Sequence, residues 1–287
     1  MRYRRRPSPL HAARAGAGCA YCLALGLAAL LFSNPVVLAA VALAVIGAAL
    51  GAGVGREVGR AALLSLPLVV AIVVINALVV RDGLTVIVRL GNLPVLGQTD
   101  VTLEATVYGA ILGLRALTLI TCGALYTAAI DPDEVLRLFR RLSFRSALTA
   151  TLATRMVPVL LRDSHRLADA QRCRPGRPPS RLTLIRAASG GVLDRALDVA
   201  AALEVRGFGC ARRPPRGRRP FSRHDLHFVI AAIALVAIAI GARVGGQAPF
   251  EAYPALHSPA DVGVLAIAAA VLLCALLPFA DRRGIAR

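Results

Sequence analysis

Six blocks of this sequence are apolar over a length that meets or nearly meets the width of a lipid bilayer: 17–33, 35–54, 63–80, 105–128, 226–242 and 262–280. A hydrocarbon core about 30 Å thick takes roughly 20 residues of helix to cross. With 57% hydrophobic residues over 287 positions, the chain has the composition of a membrane protein. The predicted fold class is therefore all-α: a polytopic membrane protein with about six transmembrane helices. A helical cytoplasmic domain is expected between spans four and five.

The charges orient these spans. All 34 basic residues are arginine, and 30 of them fall on one side: five before the first span, two after the second, twenty between 131 and 225, and three after the sixth. Only Arg81, Arg89 and Arg243 fall on the other side, and Arg115 lies inside the fourth span. The positive-inside rule then predicts a multi-pass protein of the inner or plasma membrane with both termini cytoplasmic. The expected division is a cytoplasmic N-terminus (1–16), spans one to four (17–128), a helical cytoplasmic domain (129–225), spans five and six (226–280) and a cytoplasmic C-terminus (281–287). The net charge of +18 follows from topology, so no nucleic-acid partner is inferred. The first span is preceded by basic residues, as in a signal peptide. It has no small-residue cleavage site and a second span follows at once, so it is expected to be retained.

Four of the six cysteines fall within spans and the other two on the reducing side, so no disulfide framework is implied. Cys19 and Cys22 form a C-x-x-C that reads, inside an apolar helix, as small packing residues.

Residues 129–225 carry the local signals. "DPDEVLRLFRRL" starts a helix: Asp131 caps it, Pro132 suits the first position and Glu134 stands where a capping box needs it. A longer helix runs from about Ser146 through "RMVPVLLRDSHRLADAQRCR", with Pro158 inside it, and stops at "PGRPP". A further helix is expected to break at "SGG" (189–191), resume at Asp194 and end at Gly207. Pro175 disfavours helical geometry at Arg174, and Gly207 is suited to the left-handed conformation that ends a helix just after Arg206. Each arginine follows an alanine four residues earlier, Ala170 and Ala202, which keeps the adjoining face thin. Favourable contact with the helix macrodipole accounts for one such arginine, worth about 0.3–1 kcal/mol. Two in one basic block suggest a shared role.

The stretches "ADAQRCRPG" and "AALEVRGFG" resemble the paired Ala-Arg-Gly motifs of the transmembrane (T) component of energy-coupling factor (ECF) transporters, the EcfT/CbiQ-like group that includes the permease of cobalt and nickel uptake systems. "TVYGAILGLRALTLI", "DPDEVLRLFRRL" and "RMVPVLL" extend the resemblance over roughly residues 35–240. It implies that the two motif-bearing helices are coupling helices, each docking on one of two EcfA-like ATPase subunits. Arg174, Arg206, Gly207, Ala170, Ala202 and Glu204 are carried over as coupling residues. Two departures stand out: Val205 replaces the usual alanine, and Pro175 replaces the glycine of the first motif. The resemblance also implies a substrate-binding membrane S component as partner, with a vitamin or transition-metal ion as cargo.

The chain cannot be an ATPase of the P-loop type or use a Schiff-base lysine, because it has no lysine. Asp131, Asp133 and Glu134, or His165 and Asp169, offer metal-ligand types for a lipid-processing enzyme, but they read better as a capped helix start and a solvated helix face. No catalytic, metal or cofactor residue is assigned. The nearer rival is a conventional ABC importer permease, which typically presents one coupling loop per chain. Inside the membrane, Arg115 is costly and so a functional candidate, with Asn76 or Glu104 as possible partners across helices. Gly47, Gly51 and Gly55 form a small-residue face suited to a partner membrane protein.

Overall fold

The computed structural model describes residues 6–79, 86–93, 97–139, 144–173, 181–207, 221–246 and 261–281. Its elements in chain order are α1 (Pro9–Ala12), α2 (Ala15–Leu31), α3 (Pro35–Gly51), α4 (Gly55–Val79), β1 (Val86–Leu93), β2 (Gly97–Thr102), α5 (Leu103–Ala129), α6 (Pro132–Phe139), α7 (Phe144–Arg172), α8 (Arg181–Val205), α9 (Arg223–Val244) and α10 (Val262–Leu276), the last continued by a 3₁₀ turn, Leu277–Phe279. The chain divides into two units: Met1–Val135 with Phe221–Arg287, and Leu136–Pro220.

The first unit holds the apolar helices. Among the described residues four are long and apolar enough to cross a membrane: α4, α5, α9, and α10 with its 3₁₀ turn. Two shorter apolar helices, α2 and α3, have 17 residues each. At 1.5 Å per residue they are about 26 Å long, a modest shortfall that local bilayer thinning accommodates. The protein is thus a polytopic membrane protein of the all-α class, with one short hairpin between two of its helices. Local chemistry sets several helix starts. Asn34 accepts from Val36 N (3.0 Å) with Pro35 in the first turn of α3, and Thr102 accepts from Ala105 N (3.3 Å) at the start of α5. Between α4 and α5, β1 and β2 pair as an antiparallel hairpin with Leu93 opposite Gly97. The sequence reading has no counterpart for it, although "VIV" (86–88) is rich in β-branched residues.

At the centre of the first unit, Tyr21, Phe228 and Phe279 meet edge to face, with centroids 5.2, 5.3 and 6.1 Å apart. Tyr21 Oη donates to Ala275 O at 2.8 Å. One aromatic triad therefore joins α2, α9 and the end of α10, each ring pair adding about 0.5–1.5 kcal/mol beyond its buried area.

Glycines set the closest helix approaches. A β-carbon on Gly109 would lie 3.0 Å from Asn76 Cβ and 3.1 Å from Val73 Cα, and one on Gly113 would lie 2.9 Å from Val69 Cγ1. Gly109 and Gly113 thus form a small-xxx-small seam on α5 against which α4 packs. Gly47 and Gly51 correct an expectation. Added β-carbons there would lie 2.6 Å from Leu276 Cδ2 and 2.6 Å from Phe279 Cδ1, so this face of α3 receives α10 and its 3₁₀ turn. It is filled from within the chain, and the sixth apolar helix is what fills it.

In the second unit, α7 runs through Pro158 and α8 runs unbroken through Gly190 and Gly191. The expected interruption at 189–191 is absent. A glycine in a helix interior costs only about 1 kcal/mol relative to alanine, and good helix formers on both sides outweigh two of them. Ser189 Oγ donates back to Arg186 O (2.8 Å), so its side chain is satisfied inside the helix.

Candidate functional site

The end of α8 is built by one glycine. Gly207 has φ +71°, the left-handed region, and its N–H donates to Glu204 O at 2.8 Å. Arg206 N–H donates to Ala202 O at 3.3 Å, so the arginine sits on the closing turn. Ala202, Glu204 and Arg206 are all exposed, and Val205 beside them is 89% exposed. Further back, Leu182, Leu193 and Leu197 fall on one stripe of α8 and are also exposed. The tip therefore presents a guanidinium, a carboxylate and a bare aliphatic side chain together.

The end of α7 is described as far as Cys173, whose N–H donates to Asp169 O at 3.2 Å. Ala170 is exposed, and Arg172 pairs with Asp169 at 3.5 Å. Arg174 and the "PGRPP" and "CARRPPRGRRP" linkers lie outside the described residues. One contact missed by sequence reasoning fixes α8 beside α7: Arg195 Nη1 donates to Asp163 Oδ2 at 2.5 Å. No local pattern marks that pair. His165 and Asp169 are both exposed on α7.

Within the first unit, Arg115 Nη2 donates to Phe32 O at 2.9 Å, the residue that closes α2. A cation there satisfies a helix-terminal carbonyl and faces the negative end of the helix dipole. Asn76 Nδ2 donates to Ile72 O (2.9 Å) in its own helix, while its β-carbon borders Gly109. The two intramembrane candidates thus serve different contacts: Arg115 joins α5 to α2, and Asn76 lies on the α4–α5 seam.

The structure assembles a second polar cluster at the start of α2. Ala15 N–H donates to Glu134 Oε2 (3.2 Å), and Arg14 N–H donates to Asp225 Oδ1 (2.5 Å). Asp131 caps α6 as expected, accepting from Asp133 N at 2.9 Å. Glu134 reaches beyond its own helix, to α2. Asp225 closes a capping box with Ser222, whose N–H donates to Asp225 Oδ2 at 2.9 Å. The spacing Ser222-x-x-Asp225 before an apolar run is the signal that could have found it.

The family model described as CbiQ, cobalt transport protein, matches residues 7–215. The chain belongs to the CbiQ family. The match covers well over half of the 287 residues and includes both arginine-ended stretches. It begins nearer the N-terminus than the motifs alone indicated and stops before α9, so α9 and α10 lie beyond it. A search of the curated proteins finds no match. This CbiQ-family chain is a membrane transport component, and the α8 tip lies within the matched region.

Proposed function

We propose that the chain is the transmembrane energy-coupling component of an ECF-type ABC importer. In this reading α7 and α8 are coupling helices, Arg174 and Arg206 each meet one of two ATPase subunits, and an S component in the membrane carries the substrate. The second unit and both termini face the cytoplasm. Glu204, Ala170 and Ala202 border the contacts, and Gly207 fixes where Arg206 stands. The cargo is a vitamin or transition-metal ion, and the family description makes cobalt ion the first to test.

The observation that carries this reading is the α8 tip: Arg206 exposed on a turn closed by a positive-φ glycine, next to an 89% exposed Val205. Arginine suits this role, because its planar fork stays charged and holds a carboxylate or carbonyls rigidly while the interface moves as one body. ATP-driven closure of the ATPase pair would displace the helix ends, and the long helices would carry that displacement as a rigid-body tilt. Arg115, tied to the end of α2, has a bundle-holding role in this scheme.

The test is Arg174→Glu with Arg206→Glu in the assembled system. Membrane insertion is expected to survive while ATPase capture and uptake fall sharply, and undiminished uptake by the double variant would refute the reading. The copy number separates the rival: one copy of this chain per two ATPase subunits supports the T component, and two copies support a conventional permease.

A further inference from the structure

The second unit leaves the first after Val135 and returns at Phe221. Each of these crossings is flanked by a carboxylate bonded to the same helix end. Glu134, just before the departure, accepts from Ala15 N, and Asp225, just after the return, accepts from Arg14 N. The two N–H groups are consecutive and open α2. Such groups have no partner within their helix and carry the positive end of its dipole, so carboxylates are their strongest acceptors.

Asp225 is held on all sides. It is 1% exposed, accepts from Ser222 N, and has Arg14 Nε 3.4 Å from its second oxygen, while the Arg14 guanidinium lies over the Phe221 ring at 4.9 Å. Downstream, α2 is locked to α9 and α10 by the Tyr21–Phe228–Phe279 triad. The two carboxylates therefore tie the start of α2 to both segments that join the second unit, while the triad ties its middle to α9 and α10.

We propose that Glu134 and Asp225 form a clamp on the start of α2 that delivers displacement from both ends of the second unit into the membrane helices. They are positioning residues for energy coupling, acting through the Arg14 and Ala15 backbone rather than touching an ATPase. This proposal rests on the coupling function proposed above. Its signature is uncoupling: ATPase subunits still bind and turn over, but α2 no longer responds.

The test uses the full chain purified with its ATPase chains from native membranes and placed in phosphatidylethanolamine–phosphatidylglycerol nanodiscs. Hydrogen exchange in the first two turns of α2 is compared with and without ATP plus vanadate, alongside ATP turnover. The wild-type complex is expected to show a several-fold nucleotide-dependent change. Glu134→Ala combined with Asp225→Ala, which removes both acceptor oxygens, is expected to keep ATPase capture and turnover but lose that change, and Asp225→Glu is expected to retain it. Glu134→Ala alone, the milder variant, is expected to reduce it. A double variant that responds as wild type does overturns the clamp. So does one that loses ATPase capture in step with α2 protection, the behaviour of a purely structural cap. A wild-type complex whose α2 ignores nucleotide overturns the clamp and leaves ATPase docking standing. A wild-type chain that captures no ATPase overturns the proposed function and the clamp with it.

Discussion

Gly207 is the residue on which the α8 tip depends. At φ +71° a side chain meets its own backbone, at a cost of roughly 1–2 kcal/mol for an ordinary L-residue. Nothing else crowds the site, since a β-carbon there would have no neighbour within 4 Å. The penalty of substitution is therefore purely conformational, and asparagine, which visits this region readily, is expected to escape most of it. Gly207→Val is expected to fray the last turn and raise amide exchange at Arg206 and Gly207 by about tenfold or more, a factor of ten corresponding to about 1.4 kcal/mol. Gly207→Asn is expected to stay close to wild type. ATPase capture is expected to follow the same order; equal exchange and capture in the two variants would mean that the glycine does not hold Arg206 in place.

Helix seams give the element-scale counterpart. Gly109 faces α4 backbone, with Val73 Cα and O at 3.1 and 3.2 Å from an added β-carbon, so a larger residue forces the helices apart. Gly109→Leu is expected to destabilise the bundle by about 1–3 kcal/mol, the usual range for overpacking. Gly123→Leu on the same helix, where an added β-carbon meets nothing within 4 Å, serves as control. Thermal aggregation in mild detergent reads both, and similar midpoints for the two would contradict the seam. The same glycines show what a sequence makes legible. Apolar length is legible because the bilayer imposes a one-dimensional requirement, and the six apolar helices lie where the blocks do. Helix pairing is not, because lipid is as apolar as a neighbouring helix and a small-residue face suits either. The sequence of Gly47 and Gly51 suits a partner's helix for that reason, yet they receive Leu276 and Phe279. Likewise the end of α8 is legible from Gly207, a local signal, whereas Glu134 and Asp225 meet α2 across 119 and 211 residues and no local pattern reports the meeting.

For the whole molecule, the proposed orientation follows from 30 of 34 arginines falling on one side of the spans. Reversing it would carry the arginines nearest the span ends, Arg137, Arg140 and Arg141 after span four and Arg218, Arg219 and Arg223 before span five, across the membrane, and arginines so placed resist translocation. Cys173 offers a direct probe, being exposed at the end of α7. In a chain with Cys210→Ser, a membrane-impermeant maleimide is expected to label Cys173 in inside-out vesicles and not in right-side-out ones. A second chain, carrying Arg243→Cys in place of Cys173 and Cys210, is expected to give the reverse pattern, because Arg243 closes α9 at its opposite end. The paired design matters, since a permeant label or leaky vesicles would label both sites from both sides. Labelling of Cys173 from the outside alone would overturn the orientation, and with it the placement of α7 and α8 beside cytoplasmic ATPases, whatever the family of the chain.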